Sequence, residues 1–100
     1  MAIARVTMME FFDESGMGEV EKIYAEVRDD LFPNLLQVIN IQTGPTSGIS
    51  IALYPSFEEA EKNLTGRQKM LELMEPYVKD SFYHEGEVTH NHLTPTGQQG

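Results

Sequence analysis

The chain has 100 residues, seven of them basic and sixteen acidic, with three His, no Cys and no Trp, and a net charge of −9. This length holds one domain, which buries about 65% of the surface that its unfolded chain exposes. The missing Cys excludes disulfides, thiolate metal sites and a Cys nucleophile, and the negative charge argues against nucleic acid or anionic membrane as partners, since both reward Lys and Arg.

The first dozen residues lack the pattern of a signal peptide, and no apolar run is long enough to span a bilayer, so a cytoplasmic setting is expected. Ala2 to Met9 is short, apolar and partly β-branched, which predicts a strand. Asp13 or Ser15 can cap the next element, a helix, and Met17, Val20, Ile23, Tyr24, Val27 and Leu31 recur at three- and four-residue steps as its buried stripe. Pro33 closes that helix. Leu35 to Thr43 is the second strand, Gly44 to Gly48 a hairpin turn, and Ile49 to Tyr54 the third strand.

Ser56 and Glu59 form a capping-box signature for a second helix running to Pro76. Its expected buried side is Phe57, Ala60, Leu64, Met70, Leu71 and Met74, with Glu58 and Lys62 as an ion pair one turn apart. Gly66 inside this helix costs about 1 kcal/mol against Ala, which close backbone approach would offset. Ser81 to Leu93 is the fourth strand, with Gly86 as a bulge. Residues 1–93 thus form a single domain, and 94–100, with nothing to bury, a flexible tail.

The order strand, helix, strand, strand, helix, strand is the ferredoxin-like α+β arrangement, βαββαβ, an antiparallel four-stranded sheet with both helices on one face. Val6, Ile39, Ile41, Ile49, Ile51 and Leu53 are expected to meet the helices. The opposite face then carries Ile3, Met9, Leu36, Val38, Ala52 and Tyr54 together with Arg5, Thr7, Asn40, Gln42 and Ser50. It is too apolar for exposure and marks an interface, most simply that of a twofold homodimer.

The Gly44 to Gly48 hairpin, the strand ending Tyr54-Pro55-Ser56-Phe57-Glu58-Glu59-Ala60 and the helix ending near Glu75-Pro76 add a more specific signal. With this strand order and length, Ala2 to Leu93 resembles the dimeric α+β barrel superfamily, in its antibiotic-biosynthesis-monooxygenase-like group. The resemblance implies a dimeric α+β barrel with a pocket between sheet and helices in each subunit. It also implies no bound organic cofactor. Activities in the group include cofactor-free oxidation of polycyclic phenols, haem degradation, lactone isomerisation and plain ligand binding. Haem-degrading members use a strand Asn, a His on the second helix and a Trp. This chain has no Trp, and all its His follow residue 83.

Four residues are candidates for chemistry on a small hydrophobic or aromatic compound. His84, inside the fourth strand, would be the general base. Arg5 and Asn40 would hold the resulting anion, and Tyr54 would gate the pocket. Each has a plainer reading as a hydrogen-bonded interface or core group. His90 and His92 alternate by two, a metal-ligand spacing, but only two ligands are close in sequence where zinc takes at least three. The residues therefore leave three readings open: a monooxygenase- or isomerase-like enzyme, a non-catalytic ligand-binding or assembly module, and a metal-binding protein. A cleft lined by aliphatic and Met side chains alone would mark the second.

Overall fold

A computed structural model describes residues 2–95 of the chain. Its elements are β1 (Ile3–Phe11), α1 (Gly16–Leu31), β2 (Gln37–Gly44), β3 (Ser47–Tyr54), α2 (Phe57–Glu61), α3 (Leu64–Met74) and β4 (Val78–Glu87). The strands form one antiparallel sheet in the order β2-β3-β1-β4, and the helices pack on one face. This is the expected ferredoxin-like arrangement. No helix among the described residues is long and apolar enough to cross a membrane. The tail expected at 94–100 lies mostly outside the described residues.

The hairpin between β2 and β3 turns on Pro45 and Thr46 alone. Its tip is tied to the end of β1 by the Phe11 amide, which donates to the Thr46 carbonyl at 2.8 Å. In α1 the expected stripe is observed: Met17 and Val20 are buried, and Ile23, Tyr24, Val27 and Leu31 pack against the same core. The Ser56 hydroxyl accepts from the Glu59 amide at 3.2 Å, as a capping residue should.

The second helix is divided. It breaks at Lys62 and Asn63, and the break shifts the phase of α3 relative to α2. Asn63, Gly66, Met70 and Met74 are buried, whereas Phe57 and Leu64, expected inside, stand exposed. Lys62 pairs with Glu59 at 2.9 Å instead of with Glu58. Gly66 lies directly against the Leu31 carbonyl at the end of α1, the close approach that its helix cost implied. We expect Gly66→Ala to destabilise the fold by about 1–3 kcal/mol despite alanine's better helix propensity, because its methyl meets backbone that cannot yield; a shifted urea midpoint with unchanged slope checks this.

The β4 strand begins and ends earlier than expected. The register with β1 runs unbroken from Ile3 opposite Glu87 to Glu10 opposite Asp80, and shifts only between Glu10 and Phe11. The bulge is therefore at Lys79 and not at Gly86, and the side-chain alternation through His84 is not reset.

The face assignment is the reverse of the expected one. Ile3, Arg5, Met9 and Tyr54 are buried beneath the helices. The register then puts Val6, Met8, Ile39, Ile41, Ile49, Ile51, Leu53 and Phe82 together on the open face. Both faces have apolar residues at alternate positions, so periodicity does not choose between them. Volume does. On the helix side β3 presents Gly48, Ser50 and Ala52, and this leaves room for helix side chains: a Cβ on Gly48 would lie 2.7 Å from the Met17 sulfur. Ile49, Ile51 and Leu53 would overfill that layer. Buried Arg5 also needs acceptors, and α2 supplies one in the Ala60 carbonyl.

Candidate ligand-binding cavity

The small residues of β3 leave a cavity of about 90 Å³ between the sheet and helices α1 and α3. Its walls are mostly apolar. Met9, Met17, Met70 and Met74 line it, four of the six Met in the chain, with Val20, Phe32 and Leu71. Its floor is polar where register brings Tyr83, Thr7, Ser50 and Asn40 into one row across all four strands. The next row is Glu85, Arg5, Ala52 and Val38. Thr7, Ser50 and Asn40 line the cavity, as do Arg5, Tyr24, Tyr54 and Arg67.

Arg5 is the most deeply held of these, with its side chain 5% exposed. Its Nε donates to Glu85 Oε2 at 2.6 Å and its Nη2 to the Ala60 carbonyl at 2.8 Å. The guanidinium also lies 5.1 Å from the Tyr54 ring centroid. Its Nη1 is buried with no hydrogen-bond partner among the described residues. A buried donor in this state costs free energy until something accepts from it. Burial alone would lower the Arg5 pKa, but the hydrogen bond to Glu85 and the electrostatic attraction of Tyr83, Glu85 and Tyr54 together outweigh it, and the net shift is upward.

Glu85 accepts a second hydrogen bond, from the Tyr83 hydroxyl at 2.7 Å. Partial burial pushes its pKa up, and the hydrogen bonds from Arg5 and Tyr83 more than reverse this, so the carboxyl titrates below its ordinary value. Because its folded pKa is the lower one, its contribution to stability is present at neutral pH and is lost as acid protonates the folded carboxylate. Arg67 stacks over Tyr83 with 3.9 Å from guanidinium carbon to ring centroid. At the exposed rim, the Asn40 amide donates to Glu21 at 3.2 Å.

The two cavity tyrosines are phenols that resist ionisation. Burial raises Tyr54, with Arg5 opposing, and burial pushes Tyr24 up to about 12. Since the ordinary value is 10.0, the unfolded chain releases the Tyr24 proton first. We expect stability to fall as pH rises between 10 and 12, with the Tyr24 share of the phenolate absorbance delayed toward unfolding; pH-jump ultraviolet difference spectra measure both.

The structure brings three of the four expected site residues to one cavity: Arg5, Asn40 and Tyr54. His84 is not with them. It lies opposite Val6, on the face turned away from the helices, because the alternation of β4 is unbroken. His90 and His92 come after the end of β4 and are exposed, and no group of three or more His, Cys, Asp or Glu capable of holding a metal occurs among the described residues. Glu85 and Arg67 are not expected from sequence as site residues. Glu85 shares the parity of Tyr83 and pairs across the strand from Arg5, a signal legible once the β1–β4 register is known. Arg67 carries no such signal, since its position depends on the helix break.

No protein-family model matches the chain, and no curated protein matches it in sequence. Solved structures do match. SnoaB, a cofactor-independent oxygenase from Streptomyces nogalater, has a TM-score of 0.73 over 90% of this chain and 95% of its own, at 11% identity. The ActVA-Orf6 monooxygenase of Streptomyces coelicolor, solved in complex with Nanaomycin D, has a TM-score of 0.76 over 93% and 92%, at 11% identity. A dimeric ferredoxin-like protein from an uncultured marine organism has 0.74 over 93% and 92%, at 18% identity. At these identities the likeness is one of fold: the chain folds as the antibiotic-biosynthesis-monooxygenase-like ferredoxin-like proteins do.

Proposed function

We propose that the protein is a homodimer that binds a small hydrophobic or aromatic compound in this cavity and acts on it as a cofactor-independent monooxygenase or isomerase. One observation carries the binding site: a mostly apolar cavity with a charged, buried Arg5 whose Nη1 is unpartnered among the described residues. Apolar walls bury the ring system and a few directed donors orient its oxygen. Polar groups converge on the cavity, which favours an orienting site over a purely aliphatic storage cleft. The open volume is below the ~150 Å³ that accommodates benzene in an engineered apolar cavity. A ring therefore enters by displacing Met side chains, which adapt readily.

Arg5 holds the ligand oxygen and stabilises charge as it develops there. Glu21 is the one carboxylate among the described lining residues, and it takes the proton-accepting role expected of His84. For a methylene between aromatic rings, deprotonation supplies the electrons for dioxygen. The two C–H bonds give way to one C=O bond, the second oxygen leaves as water, and the balance is R2CH2 + O2 → R2CO + H2O.

The dimer forms through the open apolar face of the sheet, where Ile39 and Ile41 are each 43% exposed and Phe82 is 60% exposed in the single chain. An oxygen electrode, with mass analysis of products from phenols, naphthols and anthrones, tests the activity. We expect equimolar oxygen uptake and product, reduced at least about tenfold in Glu21→Gln with binding retained. Ligand binding without oxygen uptake or isomerisation would assign the protein to the non-catalytic class. No binding of any of these compounds would overturn the reading.

A further inference from the structure

We propose that Glu85 sets the charge of the ligand that this cavity accepts: a neutral oxygen acceptor, such as an aryl ketone or an un-ionised phenol, in preference to a carboxylate of the same size. The inference rests on the cavity reading above and adds the chemical class of the ligand's polar group. Arg5 is the one deeply buried cation among the described lining residues, and its charge is already matched. Glu85 sits 2.6 Å from Nε and is held there by the Tyr83 hydroxyl at 2.7 Å. Nη1 makes no hydrogen bond of standard geometry to a described residue, and the guanidinium's loose hold on the Tyr54 hydroxyl leaves that N–H able to turn to a ligand.

A ketone or phenol oxygen satisfies that donor without bringing a charge out of water. A carboxylate would also accept from Nη1, but it would lose its hydration and lie on the same guanidinium as the Glu85 carboxylate, so the two negative charges would share one cation. Thr7 and Ser50 extend the same preference along the floor. Their hydroxyls line the cavity without a hydrogen bond to the described residues, and they offer dipoles and no charge. The second cation, Arg67, is only partly buried, and its guanidinium lies over the Tyr83 ring, where water screens it.

Amide-shift titrations of the whole protein with acetophenone, benzoate and ethylbenzene test this, because NMR reads millimolar affinities at identified cavity residues. The expected order is acetophenone, then ethylbenzene, then benzoate, with acetophenone at least about tenfold tighter than benzoate, or 1.4 kcal/mol. In Glu85→Gln the unmatched Arg5 should invert the acetophenone-to-benzoate preference. Benzoate binding as tightly as acetophenone in the unaltered protein would overturn the charge selection and leave the cavity reading standing. An unchanged ratio in a folded Glu85→Gln would overturn the role of Glu85. Cavity residues that respond to none of the three compounds would overturn the cavity reading and this inference with it. The ratio in the unaltered protein decides the charge preference even where the variant does not fold.

Discussion

Arg5→Met should loosen the site and the fold together. The methionine keeps most of the aliphatic length, so the packing change is small and the loss is electrostatic. Glu85 loses its cationic partner at 2.6 Å and keeps only the Tyr83 hydroxyl, and the Ala60 carbonyl loses the Arg5 donor at 2.8 Å and keeps the Asn63 amide at 3.0 Å. Removing one member of a buried pair costs about 3–5 kcal/mol. Glu85 is 23% exposed and gains water when Arg5 is gone, so the expected loss is about 2–3 kcal/mol. Urea unfolding measures it. The same variant should weaken binding of an aryl ketone about tenfold or more, the effect of deleting a hydrogen bond from a charged donor. A variant as stable as the original would mean that Arg5 is spectator packing.

The second large effect is expected on the other side of the sheet. Ile51 sits at the middle of the open face, opposite Val6 on one neighbouring strand and Ile39 on the other. A carboxylate there in Ile51→Glu would meet its own symmetry mate or the partner's apolar face. Either costs several kcal/mol, so the dimer dissociation constant should rise at least about a hundredfold. The isolated fold should survive, because that face is not covered by the protomer's own helices. Light scattering should give twice the 11.3 kDa protomer mass for the unaltered protein and the protomer mass for the variant, with unchanged far-ultraviolet dichroism. An unaltered protein at the protomer mass would remove the dimer from the proposal.

Much of this fold is legible in the sequence. The α1 stripe from Met17 to Leu31, the Gly44-to-Gly48 hairpin, the Ser56 cap and the strand order all come from local periodicity and turn chemistry. Three features do not, each for a physical reason. The helix break at Asn63 depends on tertiary packing: no Pro marks it, and Asn63, although a capping residue type, makes no side-chain cap hydrogen bond. The face of the sheet depends on volume, Gly48-Ser50-Ala52 against Ile49-Ile51-Leu53, and alternation alone is blind to that. The bulge at Lys79 rather than Gly86 depends on the pairing of β4 with the end of β1.

The site is partly legible for the same reasons. Arg5, Asn40 and Tyr54 are recognisable as polar or aromatic residues on apolar strands, and the register brings them to one cavity. Their expected surroundings are a dimer face, and they lie instead under the helices. His84 is attractive for its titration range, a property that carries no information about which face a strand residue occupies. Glu85, its neighbour, is the residue that reaches Arg5.

Both the binding and the chemistry proposed for this protein require the cavity to hold an oxygen-bearing ring against Arg5. A crystal structure of the protein grown with acetophenone, at a concentration that saturates the solution titration, tests it most directly. The carbonyl oxygen is expected within about 3 Å of Arg5 Nη1, with the ring between Met17 and Met70. An empty cavity at that concentration, or a ligand bound elsewhere with Arg5 Nη1 still unpartnered, would contradict it.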